Sequence, residues 1–197
     1  MLKLFDRWDT SAIAVKDIGL QKYVNLRETL VPRTCGRNTR RFHKSTYMNI
    51  IERLINKLMV PGHKGKKHKL TSGQCSGKWQ FAYRTVIKTF EIVENQTKQN
   101  PVEVFIRALE NAAPREEVTS IEYGGAKYPQ AVEVAPQRRI DMVLRLITQG
   151  AYAKSWNSKK TIESCLADEI LKAYNMDQTS AALSKKLEME RQASSAR

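Results

Sequence analysis

The chain is predicted to be mainly α: a bundle of about six helices with a projecting two-stranded β-hairpin and a basic N-terminal arm. Three observations predict this. Apolar residues recur at three- and four-residue steps in successive stretches after residue 45, β-branched and aromatic residues concentrate on either side of Gly124-Gly125, and the first 44 residues show no sustained period. A length of 197 residues suits one domain. The expected division is a basic arm over 1–44, a helical domain over 45–192 with its hairpin at about 118–134, and a small polar tail over 193–197 that is expected to be flexible.

Within the arm, short apolar pieces such as Ile13 to Val15 and Tyr23 to Leu30 are broken by Pro32 and Gly36. A helix begins at Ser45, carries Ile50, Ile51, Leu54, Ile55 and Leu58 on one side, and stops at Pro61-Gly62. The glycine- and lysine-rich stretch from Gly62 to Lys78 reads as a loop. Trp79, Ala82, Tyr83, Val86, Ile87, Phe90 and Val93 then form one broad apolar stripe, with Lys78, Arg84 and Lys88 off it. Asn100 is a cap for the next helix, Pro101 takes its first position, Glu103 has the spacing of a capping box, and Pro114 ends it. Val118 to Tyr123 and Lys127 to Val134 are strands, because the two glycines between them can adopt the positive φ of a tight hairpin turn. Helices follow over about Pro136 to Ala153, Thr161 to Tyr174 and Ser180 to Gln192. An isolated two-stranded ribbon is marginal in water, so its outer end is expected to dock on something else.

Charge is distributed unevenly along this frame. The first 90 residues hold 19 Lys and Arg against 5 Asp and Glu, whereas residues 91–197 hold 15 of each. From Arg33 to Lys88 there are fourteen cations and the single acid Glu52. So many like charges on one folded surface repel one another, and phosphates screen them while releasing condensed counterions, so nucleic acid is the expected partner. A merely solubilising surface would spread mixed signs over the whole chain. Three scattered cysteines, Cys35, Cys75 and Cys165, read as reduced thiols of an intracellular protein, and neither a signal-peptide core nor a bilayer-spanning stretch is present.

Catalytic and cofactor readings fare poorly. Gly73-Gln74-Cys75-Ser76-Gly77-Lys78 is one residue short of a phosphate loop, and Trp79 stands where a magnesium-binding hydroxyl belongs. His63, His68 and Cys75 lack the paired spacing of a zinc knuckle, so no metal or other cofactor is expected. Cys165 lies on an apolar stripe and reads as a core thiol. Glu116-Glu117 and Asp168-Glu169 are neighbours whose side chains point apart, which makes weak acid–base pairs. A helix-turn-helix DNA regulator would need a short turn before its recognition helix, and the ribbon does not fit that; an RNA-modifying enzyme would need a convergent acid, base or nucleophile set, which is missing.

The informative constellations are cationic. Arg33, Arg37, Arg40, Arg41 and Lys44 lie on irregular backbone, where guanidinium forks reach phosphate oxygens bidentately. Phe42 among them either stacks on an unpaired base, which suits structured RNA, or anchors the arm in the core. Lys64, Lys66, Lys67, Lys69 and Lys78 make the loop a second phosphate-contacting segment, and Arg138 and Arg139 stand at the base of the hairpin. Lys154, Lys159 and Lys160 around Trp156 are either a small basic-aromatic patch or a solvated turn.

Several of these segments carry a resemblance. Pro101-Val102-Glu103-Val104-Phe105, Ala108-Leu109-Glu110-Asn111, Tyr123-Gly124-Gly125-Ala126 and Val132-Glu133-Val134-Ala135-Pro136-Gln137-Arg138-Arg139 resemble the universal small-subunit ribosomal protein family numbered seven in bacteria and five in eukaryotes. Arg33 to Lys44 and Ile51 to Met59 extend the similarity from about residue 20 to the end, and the long N-terminal segment and expanded 62–78 loop resemble its archaeal and eukaryotic branch.

The resemblance implies a non-enzymatic protein that binds a multi-helix junction in the 3′ domain of small-subunit rRNA and nucleates assembly of the head. It assigns rRNA contact to the Arg33–Lys44 segment and to Arg138 and Arg139. The hairpin, with Ile121 to Tyr128 at its outer end and Tyr123, Gly124, Gly125, Ala126 and Lys127 around the turn, is implied to reach toward the exit tRNA site and the mRNA path. The C-terminal helix is implied to lie near the platform and the messenger exit. Other head proteins and the platform protein numbered eleven are implied neighbours, in a cytoplasmic small subunit, with a nucleolar stage if the source is eukaryotic, and without a membrane.

Overall fold

Asn49, Asn100 and Thr161 each accept a hydrogen bond from a backbone amide of the helical turn that follows, satisfying a donor that a helix start leaves open. These caps define three of the seven helices in a computed structural model, which describes residues 2–37, 47–62 and 75–197. The described elements are α1 (Ile18–Gln21), α2 (Ile50–Leu58), α3 (Trp79–Thr97), α4 (Pro101–Ala112), β1 (Glu116–Tyr123), β2 (Ala126–Glu133), α5 (Pro136–Ser155), α6 (Ile162–Tyr174) and α7 (Ala181–Ser195). The mainly α bundle with a two-stranded antiparallel hairpin is therefore observed, and the four-residue α1 is a helix that periodicity did not signal.

Helix α6 lies at the centre and packs on α3, α4 and α5, while α2 closes over α3 and α5. Its Cys165, Leu166, Ala167, Ile170 and Ala173 are buried against Phe90 and Val93 of α3, Phe105 and Leu109 of α4, and Ile140, Val143 and Leu144 of α5, all within one apolar core. At roughly 25 cal/mol per Å2 of apolar surface removed from water, the larger of these side chains, such as Leu166, Ile170, Phe90 and Leu144, contribute about 1.5–3 kcal/mol each, which outweighs a typical surface contact. Glu103 does not form the expected capping box, because its carboxylate instead pairs with Arg107 one turn on, 2.6 Å away. Asn100 has a second function, since its Nδ2 donates to the Asp9 carbonyl at 2.7 Å.

That contact belongs to the largest difference from the sequence reading. The segment expected as an arm is, over residues 2–37, wrapped along the helices, with Leu4, Phe5, Trp8, Leu20 and Val24 buried in the core. Tertiary partners hold it: Trp8 donates its indole N–H to Glu94, the Lys16 and Asp17 amides donate to Glu110, and Asn25 and Asn49 form an isolated bridge. Its apolar residues show no period because turns, with Phe5 and Asp6 at φ 55° and 61°, aim them inward one at a time.

The hairpin pairs Glu116 with Glu133 through to Tyr123 with Ala126, and Gly124 and Gly125 turn at φ 56° and 84°. Both central turn residues need the left-handed region, which a Cβ would oppose. Its base is held by α7 and the residues that follow it: the Arg115 amide donates to Glu190, and Arg197, beyond the helix end, pairs with Glu116. Helix α7 accordingly runs three residues beyond its expected end, with Ala193 fully buried.

Helix α7 is seated by Glu169 of α6. This fully buried carboxylate accepts from Lys154, from Ser180 Oγ at 3.1 Å and from the Ala181 amide at 3.2 Å, the last two at the start of α7. The close approach requires Gly150 on α5, where a Cβ would stand 2.7 Å from that of Ala181. Replacing Gly150 with Ala is expected to destabilise the protein by about 1–3 kcal/mol through overpacking, more than the roughly 1 kcal/mol that helix propensity returns. Urea unfolding checks this, with Ala181→Gly in the same chain restoring most of the loss.

Candidate nucleic-acid interface

The first cationic cluster is built on a turn. Residues 33–37 leave the N-terminal wrap beside the start of α2, where Glu52 Oε1 accepts from both the amide and the hydroxyl of Thr34 at 2.8 Å. Arg33 swings from this turn over α3, its guanidinium carbon 4.7 Å from the centre of the Trp79 ring. Trp79 is itself stacked on Tyr83, with centroids 4.9 Å apart. Lys78 precedes Trp79 on a turn that includes Gly77 at φ 74°, so one edge of the molecule presents Arg33, Arg37 and Lys78 together, all exposed. Arg40, Arg41 and Lys44, with Phe42, and Lys64, Lys66, Lys67 and Lys69 lie outside the described residues. Trp79 was read only as part of the core stripe; its place directly after Lys78 was the available signal that it also borders the cationic surface.

A count of positive residues overstates what this surface offers, because folding neutralises some of them internally. Arg53, only 5% exposed, donates to Asp141 of α5 at 3.1 Å; burial lowers its pKa and the Asp141 charge counters part of that. Lys154 is engaged by Glu169, which leaves Lys159 and Lys160 exposed beside half-exposed Trp156 in the second basic patch. Cys165 is buried, and its thiol is pushed up by desolvation, the environment of an inert core cysteine.

At the hairpin base the two neighbouring arginines face different surroundings. Arg138 is exposed and held by Glu117 of β1 through a two-donor contact at 2.9 and 3.1 Å. Arg139 points inward at 9% exposure and pairs with Asp17, just ahead of α1, at 2.8 Å. At the far end, Tyr123 and Tyr128 are strongly exposed; the register puts them on one face with Ile121, while Glu122 and Lys127 pair on the other.

A basic edge and an exposed aromatic ribbon thus stand on one apolar helical frame. The family model described as ribosomal protein S7p/S5e matches residues 20–197. This chain belongs to that family. It is 50% identical over 196 residues to the small ribosomal subunit protein uS7 of Nanoarchaeum equitans, a match covering 100% of this chain and 99% of that relative. It is 48% identical over 195 residues to the uS7 of Methanosphaera stadtmanae, covering 98% of each. The uS7 of Methanothermobacter thermautotrophicus is 44% identical over 197 residues and is covered completely. No helix among the described residues is long and apolar enough to cross a membrane.

In this S7p/S5e chain the Asp17–Arg139 pair pins the N-terminal wrap to the start of α5. Burial alone would raise the Asp17 carboxyl, but the Arg139 hydrogen bond, the Gly19 amide and the charges of Arg139 and Arg115 outweigh it, and the pKa lies below the ordinary 3.8. A carboxyl lowered on folding adds stability above its unfolded value and loses it as pH falls through the folded one. The stability gap between the native protein and Asp17→Asn is therefore expected to be full at neutral pH and to close below about pH 4, as read by urea unfolding across a pH series.

Proposed function

We propose that the chain is a structural, non-enzymatic component of the small ribosomal subunit that binds a multi-helix junction in the 3′ domain of small-subunit rRNA and nucleates assembly of the head. The observation that carries this reading is likeness over essentially the whole chain to proteins named as small ribosomal subunit proteins, combined with a cationic edge on a rigid apolar frame. Arg33, Arg37, Arg40, Arg41 and Lys44, with Lys64, Lys66, Lys67, Lys69 and Lys78, neutralise phosphates, and Arg138 contributes at the hairpin base. Arg139, engaged with Asp17, acts by holding the wrap in place. Phosphate contacts position the protein, and selectivity comes from the shape of the junction and from unpaired bases within reach of aromatic rings.

In the same reading the outer end of the hairpin, Tyr123 to Lys127, borders the exit-site tRNA and the mRNA path, and other head proteins and the platform protein numbered eleven are neighbours. The exposure of Tyr123 and Tyr128 on one face supports it, because two aromatic rings left bare by the described residues at the tip of a two-stranded ribbon need a partner to cover them.

Two outcomes are expected. Affinity for a 3′-domain rRNA transcript falls steeply with salt, with a log–log slope of roughly −0.7 to −0.9 per phosphate neutralised, and a flat titration contradicts the reading. In subunit reconstitution, changing Arg37, Arg40 and Arg41 together to Ala impairs assembly more than deleting Gly124 to Ala126, and the reverse ranking places the anchor in the hairpin instead.

A further inference from the structure

Glu52 is the only acid between Arg33 and Lys88, and it is 4% exposed in the first turn of α2. An acid there ordinarily serves the helix dipole. This one reaches away from its own helix, whose first turn Asn49 already caps, to a residue eighteen positions earlier in the chain. Oε1 takes both donors of Thr34, while Oε2 is buried without a hydrogen-bond partner among the described residues. A half-satisfied buried carboxylate is costly, and an apolar side chain would serve the bundle better. Its bonds therefore matter for what they hold.

They hold the middle of the Arg33–Arg37 turn. Directly after Thr34, Cys35 and Gly36 stand at φ 50° and 77°, and the Arg37 amide closes the turn on the Thr34 carbonyl at 3.1 Å. A cysteine in the left-handed region is strained and persists only where its surroundings over-determine it. The two charge-assisted bonds from Thr34 to Glu52 do that, and the contact of Arg33 with Trp79 fixes the other side.

We propose that Glu52 is a positioning residue: through Thr34 it sets the left-handed corner at Cys35-Gly36 and so aims Arg33 and Arg37 as a fixed pair at adjacent phosphates. The single acid of the basic region thus strengthens anion binding by ordering two cations. This rests on the rRNA-binding reading, and the test separates the two.

The test is the salt dependence of binding by the full chain to a transcript of the 3′ domain of archaeal small-subunit rRNA, with thermal melting of each variant alongside. Arg33→Ala with Arg37→Ala is expected to reduce the magnitude of the log–log slope by about 1.4–1.8, two phosphates' worth. Glu52→Met and, separately, Thr34→Val are each expected to reduce it by about 0.7 or more, and by nothing further when added to the arginine double variant. Glu52→Met removes the acceptor of both Thr34 bonds. Thr34→Val removes only the hydroxyl donor, so it keeps the test open if Glu52→Met folds poorly. A merely structural role would lower the melting temperature and leave the slope unmoved. If the arginine variant lowers the slope but neither Glu52→Met nor Thr34→Val does, or if their effects add to it, the positioning role is overturned while the rRNA reading stands. If the arginine variant itself leaves the slope unchanged, the assignment of these arginines to phosphate fails and the positioning role falls with it.

Discussion

A continuous seam of aromatic rings ties the most highly charged part of this chain to its core. Phe5 meets Tyr83 edge-on at 5.2 Å and Trp8 at 5.9 Å, Trp8 meets Phe90 at 5.7 Å, and Phe90 meets Phe105 at 6.0 Å. Such pairs contribute about 0.5–1.5 kcal/mol each beyond the area they bury. The seam begins under Arg33, through Trp79 and Tyr83, and ends against α4, so the cationic edge is mounted on the same packed body as the neutral second half. Without that anchorage, mutual repulsion among the cations would favour opening the N-terminal wrap.

Electrostatic details then decide which charges face outward. Asp141 holds Arg53 inside, Asp17 holds Arg139, and Glu169 draws in Lys154 while seating α7. Arg53 and Arg139 are thereby taken off the surface, Lys154 stays exposed but neutralised, and each pair holds one element on another: α2 to α5, the wrap to α5, and the end of α5 to α6. Arg33 and Lys78 are left outward beside Trp79, and Glu52, the single acid of the Arg33–Lys88 sequence, is used internally.

Much of the fold was legible because it is amphipathic. Helices α4 and α6 were readable almost to the residue from Asn100-Pro101 and Thr161, since a cap and a 3.6-residue period both act locally. Gly124-Gly125 marked the hairpin for the same reason. The N-terminal wrap was illegible because Leu4, Phe5 and Trp8 are placed by distant partners such as Leu30 and Glu94, and no short window contains that information. Glu103 shows the limit of motif spacing: the capping-box position was right, yet Arg107 one turn away competed for the carboxylate. The site was legible as a composition, a block of cations with one acid. Whether Arg138 points out and Arg139 points in depended on where Glu117 and Asp17 lie in space.

If the excess charge of the first 90 residues grips RNA, as proposed, bound RNA covers that edge and leaves the central apolar helix as it was. Amide hydrogen exchange of the full chain, free and saturated with a 3′-domain rRNA transcript at low salt, distinguishes the cases. Slowing is expected to concentrate in residues 33–88, with α6 (Ile162–Tyr174) exchanging as it does in the free protein. Slowing centred on residues 162–195, with none in 33–88, would contradict it.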